Sequence, residues 1–203
     1  MSITLHKKDI PADLDFGDAV AIDTETMGLQ TARDPLCLVQ LSAGDGSAHI
    51  VQLDRNGYDA PNLKALLSNE NIEKIFHFAR FDIAAIKAYL DVDCAPVYCT
   101  RTASKLVRTY TDRHGLRDCC RELLHVELNK QQQSSDWGAA ELSEDQLRYA
   151  ANDVLHLHKL KDALDGMLKR EGRFDLARRC FAFLPVRAEL DLAGWADTDI
   201  FEH

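Results

Sequence analysis

Carboxylates and a tyrosine at regular spacings are the residues of this 203-residue chain best suited to chemistry. Asp23 and Glu25 end a short apolar run, in the sequence AIDTET. In a β-strand, residues two apart point to one face, so these carboxylates would face one site about 7 Å apart at most. A divalent cation, which prefers oxygen ligands, would relieve their repulsion. The alternative is two ordinary acids where a strand meets solvent.

Three further residues extend this set. Asp82 follows a later apolar segment, in HFARFD, near the start of a predicted helix, where an acid also suits the helix dipole. Tyr149 and Asp153, in YAAND, lie four residues apart on a predicted helix and therefore share a face. A buried aspartate is rare unless it is paired or bound to a metal. The alternative is a structural contact between the tyrosine and the aspartate.

The apolar pattern predicts the elements that position these residues. Short apolar runs predict five strands, at 18–24, 36–42, 48–53, 72–78 and 97–99. Helical spacing predicts a helix opened by Pro61, a second over 79–90, and helix almost throughout after Thr100, apart from a loop at 129–138. A capping box of Ser143 and Gln146 marks the start of the helix with Tyr149. This order predicts the α/β class, with a mixed central sheet flanked by helices.

Composition narrows the classes of protein further. The 33 acidic and 24 basic residues leave a net charge of −9, which disfavours binding long duplexes but not a short substrate held through metal ions. No run approaches the roughly 18 apolar residues of a membrane span. No apolar segment follows the first basic residues, so we expect no secretory signal, no membrane association and a cytoplasmic location. The six cysteines contain no C-x-x-C pair, which favours reduced thiols over disulfides or zinc.

The order, spacing and context of these motifs resemble the three exonuclease motifs of the DEDD superfamily, and Tyr149 resembles its DEDDy branch. The segments LVQL, HFARFD, HGLRDCC, SSDW and YAANDVLHL resemble ribonuclease D over about residues 18–165. Ribonuclease D carries helical HRDC domains after the nuclease, whereas too few residues follow about position 170 here to form one. The compact length, TYTDRHGL, KQQQSSDW and the C-terminal segment resemble nano-RNase C (NrnC), a short family that degrades dinucleotides.

This resemblance implies a ribonuclease H-like DEDD exonuclease fold in a single domain, residues 1–203. It implies 3′→5′ hydrolysis of dinucleotides and very short RNA or DNA oligonucleotides to nucleoside 5′-monophosphates. Two Mg²⁺ ions, with Mn²⁺ as a substitute, would be held by the four acids Asp23, Glu25, Asp82 and Asp153. Tyr149 would orient or deprotonate the attacking water, although its ordinary pKa of about 10 argues against a role as the sole base.

The resemblance also implies contacts with the substrate. Leu29 would wedge against the terminal bases, and Thr26 and Met27 would supply contacts nearby. His77 matches a histidine found near the substrate in related nucleases. The alternatives are plain packing for Leu29 and a satisfied core histidine for His77. We assign His156 and His158 to structure, because hard metal ions do not call for imidazole.

Two segments carry further expectations. Arg101, Lys105 and Arg108 share one predicted helix face, which is either a strip that guides phosphates or an ordinary solvated face. Arg113 and His114 follow in a loop, where we consider a contact with a 5′ phosphate. The apolar side chains of about residues 172–203 predict an oligomer interface, and the resemblance implies an octameric ring. The alternative is that this segment docks on its own protomer.

Two other functions stay open at this point. One is a general exonuclease of ribonuclease D type that trims the 3′ ends of single-stranded RNA. The other is an inactive scaffold that only binds nucleotides. The presence of all five catalytic residue types counts against the scaffold.

Overall fold

The computed structural model describes residues 2–128 and 135–202, and six of the described segments form one mixed sheet. The strands are β1 (Ser2–Lys7), β2 (Ala19–Thr26), β3 (Leu36–Ser42), β4 (Ser47–Gln52), β5 (Glu73–Phe76) and β6 (Val97–Cys99). Their order across the sheet is β1-β4-β3-β2-β5-β6. The β2–β3 and β3–β4 pairs are antiparallel, and the other three pairs are parallel. This is the predicted mixed sheet.

Helices cover the sheet. They are α1 (Pro61–Ser68), α2 (Ala79–Leu90), α3 (Thr100–Val107), α4 (Leu116–Cys119), α5 (Glu144–Leu155), α6 (Leu157–Arg170) and α7 (Phe174–Leu190). Single π-helical turns extend α4 and α7, at Cys120–Leu124 and Asp191–Trp195. Both α2 and α5 pack against β2, so the residues of these two helices approach the strand that carries Asp23 and Glu25. Every residue of β3 is buried, because that strand lies inside the sheet under helices.

Most of the predicted elements are present at or near the predicted bounds. The strands over 36–42 and 97–99 and the helix over 79–90 match the structure residue for residue. The capping box is complete, because the Ser143 hydroxyl accepts from the Gln146 amide and the Gln146 side chain accepts from the Ser143 amide. These features depend on contacts between near neighbours in sequence.

Two strand predictions were wrong. Strand β1 was missed, because its six residues, of which three are exposed, form a strand through parallel pairing with β4, which lies more than 40 residues away. The strand predicted over 72–78 ends at Phe76. The chain leaves the sheet there because Phe78 takes a left-handed conformation, with φ at 77°.

The C-terminal helix α7 packs against its own protomer, which is the alternative that the sequence left open beside an oligomer interface. Ala177, Phe181 and Ala188 are buried, and the Phe181 ring lies 4.5 Å from the Tyr98 ring. Apolar side chains nevertheless stay exposed along the same segment: Leu176, Phe183, Val186, Trp195, Ile200 and Phe201. The segment therefore has one docked face and one open face.

The predicted loop at 129–138 lies mostly outside the described residues, which resume at Ser135 and include the buried Trp137. All six cysteines are free thiols. Among the described residues, we find no helix with the length and apolar character that crossing a membrane requires.

Candidate active site

Three of the predicted metal ligands meet at one point. Asp23 and Glu25 extend from β2, and Asp153 extends from α5, which packs against that strand. Each offers a carboxylate oxygen, and these three oxygens lie within 4.8 Å of one another. Hard oxygen donors this close together are the donor set that a divalent cation such as Mg²⁺ prefers. The acidic cluster therefore fits a divalent metal.

Asp82 joins the site through a threonine. The Thr24 hydroxyl donates a hydrogen bond of 2.6 Å to Oδ1 of Asp82, which is only 3% exposed. Thr24 lies between Asp23 and Glu25 on β2, so this bond ties the start of α2 to the strand of the first two acids. Sequence reasoning missed Thr24. Its position inside the D-x-E motif was the available signal.

Loss of water and mutual repulsion make these acids hard to ionise. Desolvation raises the pKa of Asp23 to about 7. Desolvation, followed by repulsion from Asp23, Asp153 and Asp82, raises the pKa of Glu25 to about 10. The pKa values of Asp82 and Asp153 are raised well above the usual range by desolvation and by Asp23. A cation that binds here would displace protons, so metal affinity should increase with pH.

Tyr149 lies at the edge of the same cluster. Its ring centroid is 6.0 Å from that of the buried Trp137, which holds the phenol in place. Desolvation and the nearby Asp153 raise the pKa of Tyr149 above its ordinary value. The neutral phenol is thus the stable form at physiological pH, and it can donate or accept a hydrogen bond. Sequence reasoning noted the SSDW segment without a role for Trp137.

The predicted substrate contacts lie on two segments, one at the end of β2 and after it, and one directly after β5. Leu29 is 87% exposed and Met27 is 48% exposed, so neither is packed in the core. The Thr26 hydroxyl donates a short hydrogen bond to the Gly28 carbonyl and shapes the turn that presents Leu29. An added Cβ at Gly28 would lie 2.3 Å from Oδ2 of Asp34, which explains the glycine.

His77 follows β5 instead of lying on it, because the strand ends at Phe76. Its Nδ1 is 2.8 Å from the Thr100 hydroxyl. Desolvation, with a contribution from Arg101, lowers the pKa of His77 to about 3. The ring is therefore neutral, and its Nε2 is a buried atom without a hydrogen-bond partner among the described residues.

The predicted basic strip is wrong at Arg108, which is fully buried and not on a solvated helix face. It donates to Glu122 at 2.5 Å and to the Arg113 carbonyl at 2.8 Å. The helix spacing was correct, but α3 ends at Val107 and the next residue turns inward. Arg108 thus anchors the loop of Arg113 and His114, whose Nδ1 lies 2.9 Å from the Ser104 hydroxyl.

We expect Arg108→Ala to lower the free energy of unfolding by about 3 kcal/mol, because it empties the space of a fully buried side chain and removes its hydrogen bonds to Glu122 and the Arg113 carbonyl. Urea unfolding measures the change. The control is Arg148→Ala, which removes an exposed pair with Glu144 and should cost less than about 1 kcal/mol. Equal losses in the two variants would show that Arg108 is not an anchor.

Comparison with known proteins agrees with this geometry. The family model for 3′-5′ exonucleases matches residues 6–169. The structure of Brucella melitensis NrnC with bound Mg²⁺ is 53% identical, with a TM-score of 0.96 and coverage of 100% of both chains. The structure of Brucella melitensis NrnC bound to pGG is 54% identical, with a TM-score of 0.97, and covers 100% of this chain and 99% of that one.

Ribonuclease D is a more distant relative. The Acidiphilium cryptum protein of that name is 34% identical over 156 residues, which are 77% of this chain and 39% of the relative. Escherichia coli RNase D has a TM-score of 0.72 at 26% identity, over 84% of this chain and 45% of that one. The chain spans about two fifths of the length of the curated ribonucleases D that it matches. This chain therefore belongs to the 3′-5′ exonuclease family, as a DEDD-type exonuclease with the ribonuclease H-like fold, similar to NrnC and ribonuclease D.

Proposed function

We propose that this exonuclease hydrolyses dinucleotides and very short RNA or DNA oligonucleotides from the 3′ end and releases nucleoside 5′-monophosphates. The single observation that carries the proposal is the full-length likeness to a protein whose structure holds pGG. Two further observations support it: Asp23, Glu25 and Asp153 converge, and Leu29, four residues after Glu25, is exposed. A small site of this kind suits a short substrate, and the net charge of −9 disfavours a long one.

The four acids are the proposed ligands of two Mg²⁺ ions, for which Mn²⁺ would substitute. Four carboxylates match the charge of two divalent cations. Desolvation raises the pKa of Asp23, and desolvation followed by repulsion from the other acids raises the pKa of Glu25, so a cation would relieve a cost in the metal-free site. Bound divalent ions supply Lewis-acid activation of water and stabilise charge on the leaving oxygen. Asp23, Glu25 and Asp153 would hold the ion nearer the attacking water. Asp23 and Asp82 would hold the other ion, Asp82 directly or through water.

The proposed substrate contacts follow from the resemblance and, for Leu29 and Met27, from their exposure. Leu29 would separate the terminal bases, because its side chain is exposed and it follows Glu25 by four residues. Thr26 and Met27 would contact the nucleotide nearby, and the neutral His77 would donate or accept one hydrogen bond. Arg113 and His114 lie in the loop anchored by Arg108, where a contact with a 5′ phosphate stays a prediction.

Tyr149 is proposed to orient the attacking water through its neutral hydroxyl. We expect Tyr149→Phe to lower kcat by roughly 10²-fold, with little change in KM, because the ring packing on Trp137 is retained. Steady-state kinetics with a dinucleotide and Mg²⁺ measure the effect. Tyr89→Phe, on the same protein but outside the acidic cluster, is the matched control. A change in KM alone would assign the hydroxyl to substrate binding.

A length series tests the proposed function. RNA and DNA of two to seven nucleotides, labelled at the 5′ end, are followed over time on a gel with Mg²⁺. We expect the dinucleotide to disappear far faster than the longer oligonucleotides. If all lengths shorten at similar rates and dinucleotides accumulate, the protein is a general trimming exonuclease of ribonuclease D type. No turnover with Mg²⁺ or Mn²⁺ would favour a nucleotide-binding scaffold.

We also propose that residues 1–203 act as a single exonuclease domain and that about residues 172–203 form an oligomer interface in an octameric ring. The support is the open apolar face of this segment, where Val186, Trp195 and Phe201 are 46%, 49% and 68% exposed. Sedimentation velocity at micromolar concentration tests it. A 22.8 kDa species would contradict the assembly.

A further inference from the structure

A cavity of about 630 Å³ lies at the end of the sheet where β1 and β4 finish. Lys7 and Gln52 of these strands line it, together with residues 137–140, the loop over 54–58 and Tyr89 at the end of α2. None of the predicted metal ligands or substrate contacts is among the described residues of its wall. Pockets for small molecules usually measure about 300–1000 Å³, so the cavity has room for a mononucleotide.

The wall of this cavity is positively charged. Three basic side chains line it, those of Lys7, Lys8 and Arg55, against one acid, Asp54. The charge is therefore opposite in sign to the net charge of −9 on the whole chain. Nζ of Lys8 lies 3.3 Å from Oδ2 of Asp54, but the Lys8 side chain is 69% exposed. An exposed ion pair contributes little, so a phosphate can compete for this lysine and for the guanidinium of Arg55.

Aromatic rings line the same cavity. They are those of Tyr58, Tyr89 and Trp137. The Tyr58 and Tyr89 ring centroids are 5.3 Å apart, and the Tyr58 hydroxyl donates a hydrogen bond of 3.0 Å to the Leu36 carbonyl. These contacts fix the Tyr58 ring at the cavity. Because every nucleobase has a flat face that stacks on such rings, basic and aromatic groups together suit a nucleotide.

Two residues of the cavity wall have an unfavourable backbone conformation. The φ angles of Lys8 and Tyr58 are 73° and 51°. Five of the described non-glycine residues have a positive φ, and these two line this cavity. A positive φ is uncommon for a residue with a side chain, and such strain persists where a ligand site uses it. The strained residues supply one cation and one ring of the wall.

One segment connects the cavity with the active site. Nη2 of Arg55 donates to the Gly138 carbonyl at 2.9 Å. Gly138 lies directly on Met27, because an added Cβ would collide with the Met27 sulfur. The preceding residue, Trp137, lines the cavity and also packs against the ring of Tyr149. A change at the cavity wall therefore reaches a proposed substrate contact and the tyrosine proposed to orient water.

We propose that this cavity binds a nucleoside 5′-monophosphate, with its phosphate on the three basic side chains and its base against Tyr58, and that occupancy lowers turnover. A phosphate on Arg55 would take this guanidinium from the Gly138 carbonyl and loosen the segment that packs on Met27. The choice of ligand rests on the proposed function, because such monophosphates are the products of that hydrolysis. The enzyme would then slow down as its product accumulates.

The first test measures binding without hydrolysis. Adenosine 5′-monophosphate (AMP) is titrated calorimetrically into wild type and Lys8→Gln in the presence of a chelator. We expect Lys8→Gln to weaken binding about tenfold, because one phosphate contact is lost. Lys159→Gln, at an exposed lysine of α6, is the matched control and should bind AMP as wild type does. Equal affinity of wild type and Lys8→Gln would overturn the inference.

Two comparisons identify the ligand and separate this inference from the proposed function. Inorganic phosphate should bind at least tenfold more weakly than AMP, because it has no base to stack. Equal affinities for phosphate and AMP would overturn the nucleotide site. If AMP binding depends on Lys8 but dinucleotides are not hydrolysed, the proposed function is contradicted and the cavity site is retained.

The second test measures the effect of AMP on dinucleotide hydrolysis with Mg²⁺. We expect saturating AMP to lower the kcat of wild type about threefold, and Lys8→Gln to need about tenfold more AMP for the same effect. Without AMP, the kcat of Lys8→Gln should stay within about twofold of wild type. Arg55→Ala should have a reduced kcat that AMP does not lower further. Equal inhibition of wild type and Lys8→Gln would assign AMP to the active site and overturn the inference.

A further variant guards against misfolding of Lys8→Gln. Ala140→Leu adds volume at an exposed position of the cavity wall, where the fold should tolerate it. We expect it to weaken AMP binding at least fivefold, with unchanged sedimentation. Binding equal to that of wild type would overturn the inference. Altered sedimentation with unchanged AMP binding would also overturn it, because the cavity would then contact a second copy of this chain.

Discussion

We expect Asp23→Asn to lower kcat/KM for a dinucleotide by at least about 10²-fold. Asp23 contributes to the electrostatics of each of the other acids, because desolvation and then its charge raise the pKa values of Glu25, Asp82 and Asp153. Its oxygen also lies within 4.8 Å of oxygens from Glu25 and Asp153. A neutral amide supplies a weaker oxygen ligand and removes one charge from the set, so metal affinity should fall together with turnover.

Two measurements check this prediction. Steady-state kinetics give the loss of turnover, and isothermal titration with Mg²⁺ gives the loss of metal binding. The control is Asp93→Asn, because Asp93 is an exposed acid whose partner is Lys87 on α2. Full turnover by Asp23→Asn would contradict the proposed metal mechanism, and lost turnover with normal metal binding would assign Asp23 a different role.

The second large effect is a gain of stability from an inactivating substitution. We expect Glu25→Gln to raise the Tm of the metal-free protein at pH 8 by more than about 4 °C while turnover is lost. The folded-state pKa of Glu25 is about 10, far above that of a free glutamate, so the folded protein retains a proton that the unfolded chain releases. Glutamine has no proton to release, so the free-energy cost of keeping this side chain protonated in the folded protein disappears.

The direction of the pH dependence follows from this shift. Between about pH 4.3, the ordinary glutamate pKa, and about pH 10, the folded metal-free protein binds more protons than the unfolded chain. Its stability therefore falls as pH rises through this range. Asp23, with its pKa raised to about 7, adds a similar loss up to that pH. One pKa unit is worth about 1.4 kcal/mol, and about 1 kcal/mol moves Tm by roughly 2–4 °C at this size.

Thermal unfolding with a chelator at pH 5 and pH 8 measures this effect. The advantage of Glu25→Gln should be large at pH 8 and small at pH 5, and saturating Mg²⁺ should reduce it because only wild type keeps the full ligand set. Glu127→Gln, at an exposed glutamate, is the matched control and should leave Tm unchanged. Equal Tm values for wild type and Glu25→Gln at pH 8 would show that water relieves the repulsion among the acids.

The features that could be predicted from the sequence alone are those that depend on local patterns. The periodicity of apolar residues predicted β3 and α2 to the residue, and the Ser143 capping box marked the start of α5. The spacing of Asp23 and Glu25 on a strand was enough to place them on one site. Such features depend on neighbours within about four residues, so a single sequence is enough to predict them. The order of the acidic motifs then indicated the exonuclease family.

Long-range pairing decided the rest. Three contacts join residues that are 45, 58 and 111 positions apart in the sequence. They are the pairing of β1 with β4, the Thr24–Asp82 hydrogen bond and the Arg80–Asp191 ion pair. The local sequence pattern does not indicate which residues pair over these distances. An acid and an arginine have the same helix and strand propensities whether or not they form an ion pair. Arg108 shows the same limit, since its burial depends on Glu122 and the Arg113 carbonyl. The acids of the site could therefore be predicted from the sequence, whereas the contacts that join α2 to β2 and to the C-terminal turn exist only in the folded chain.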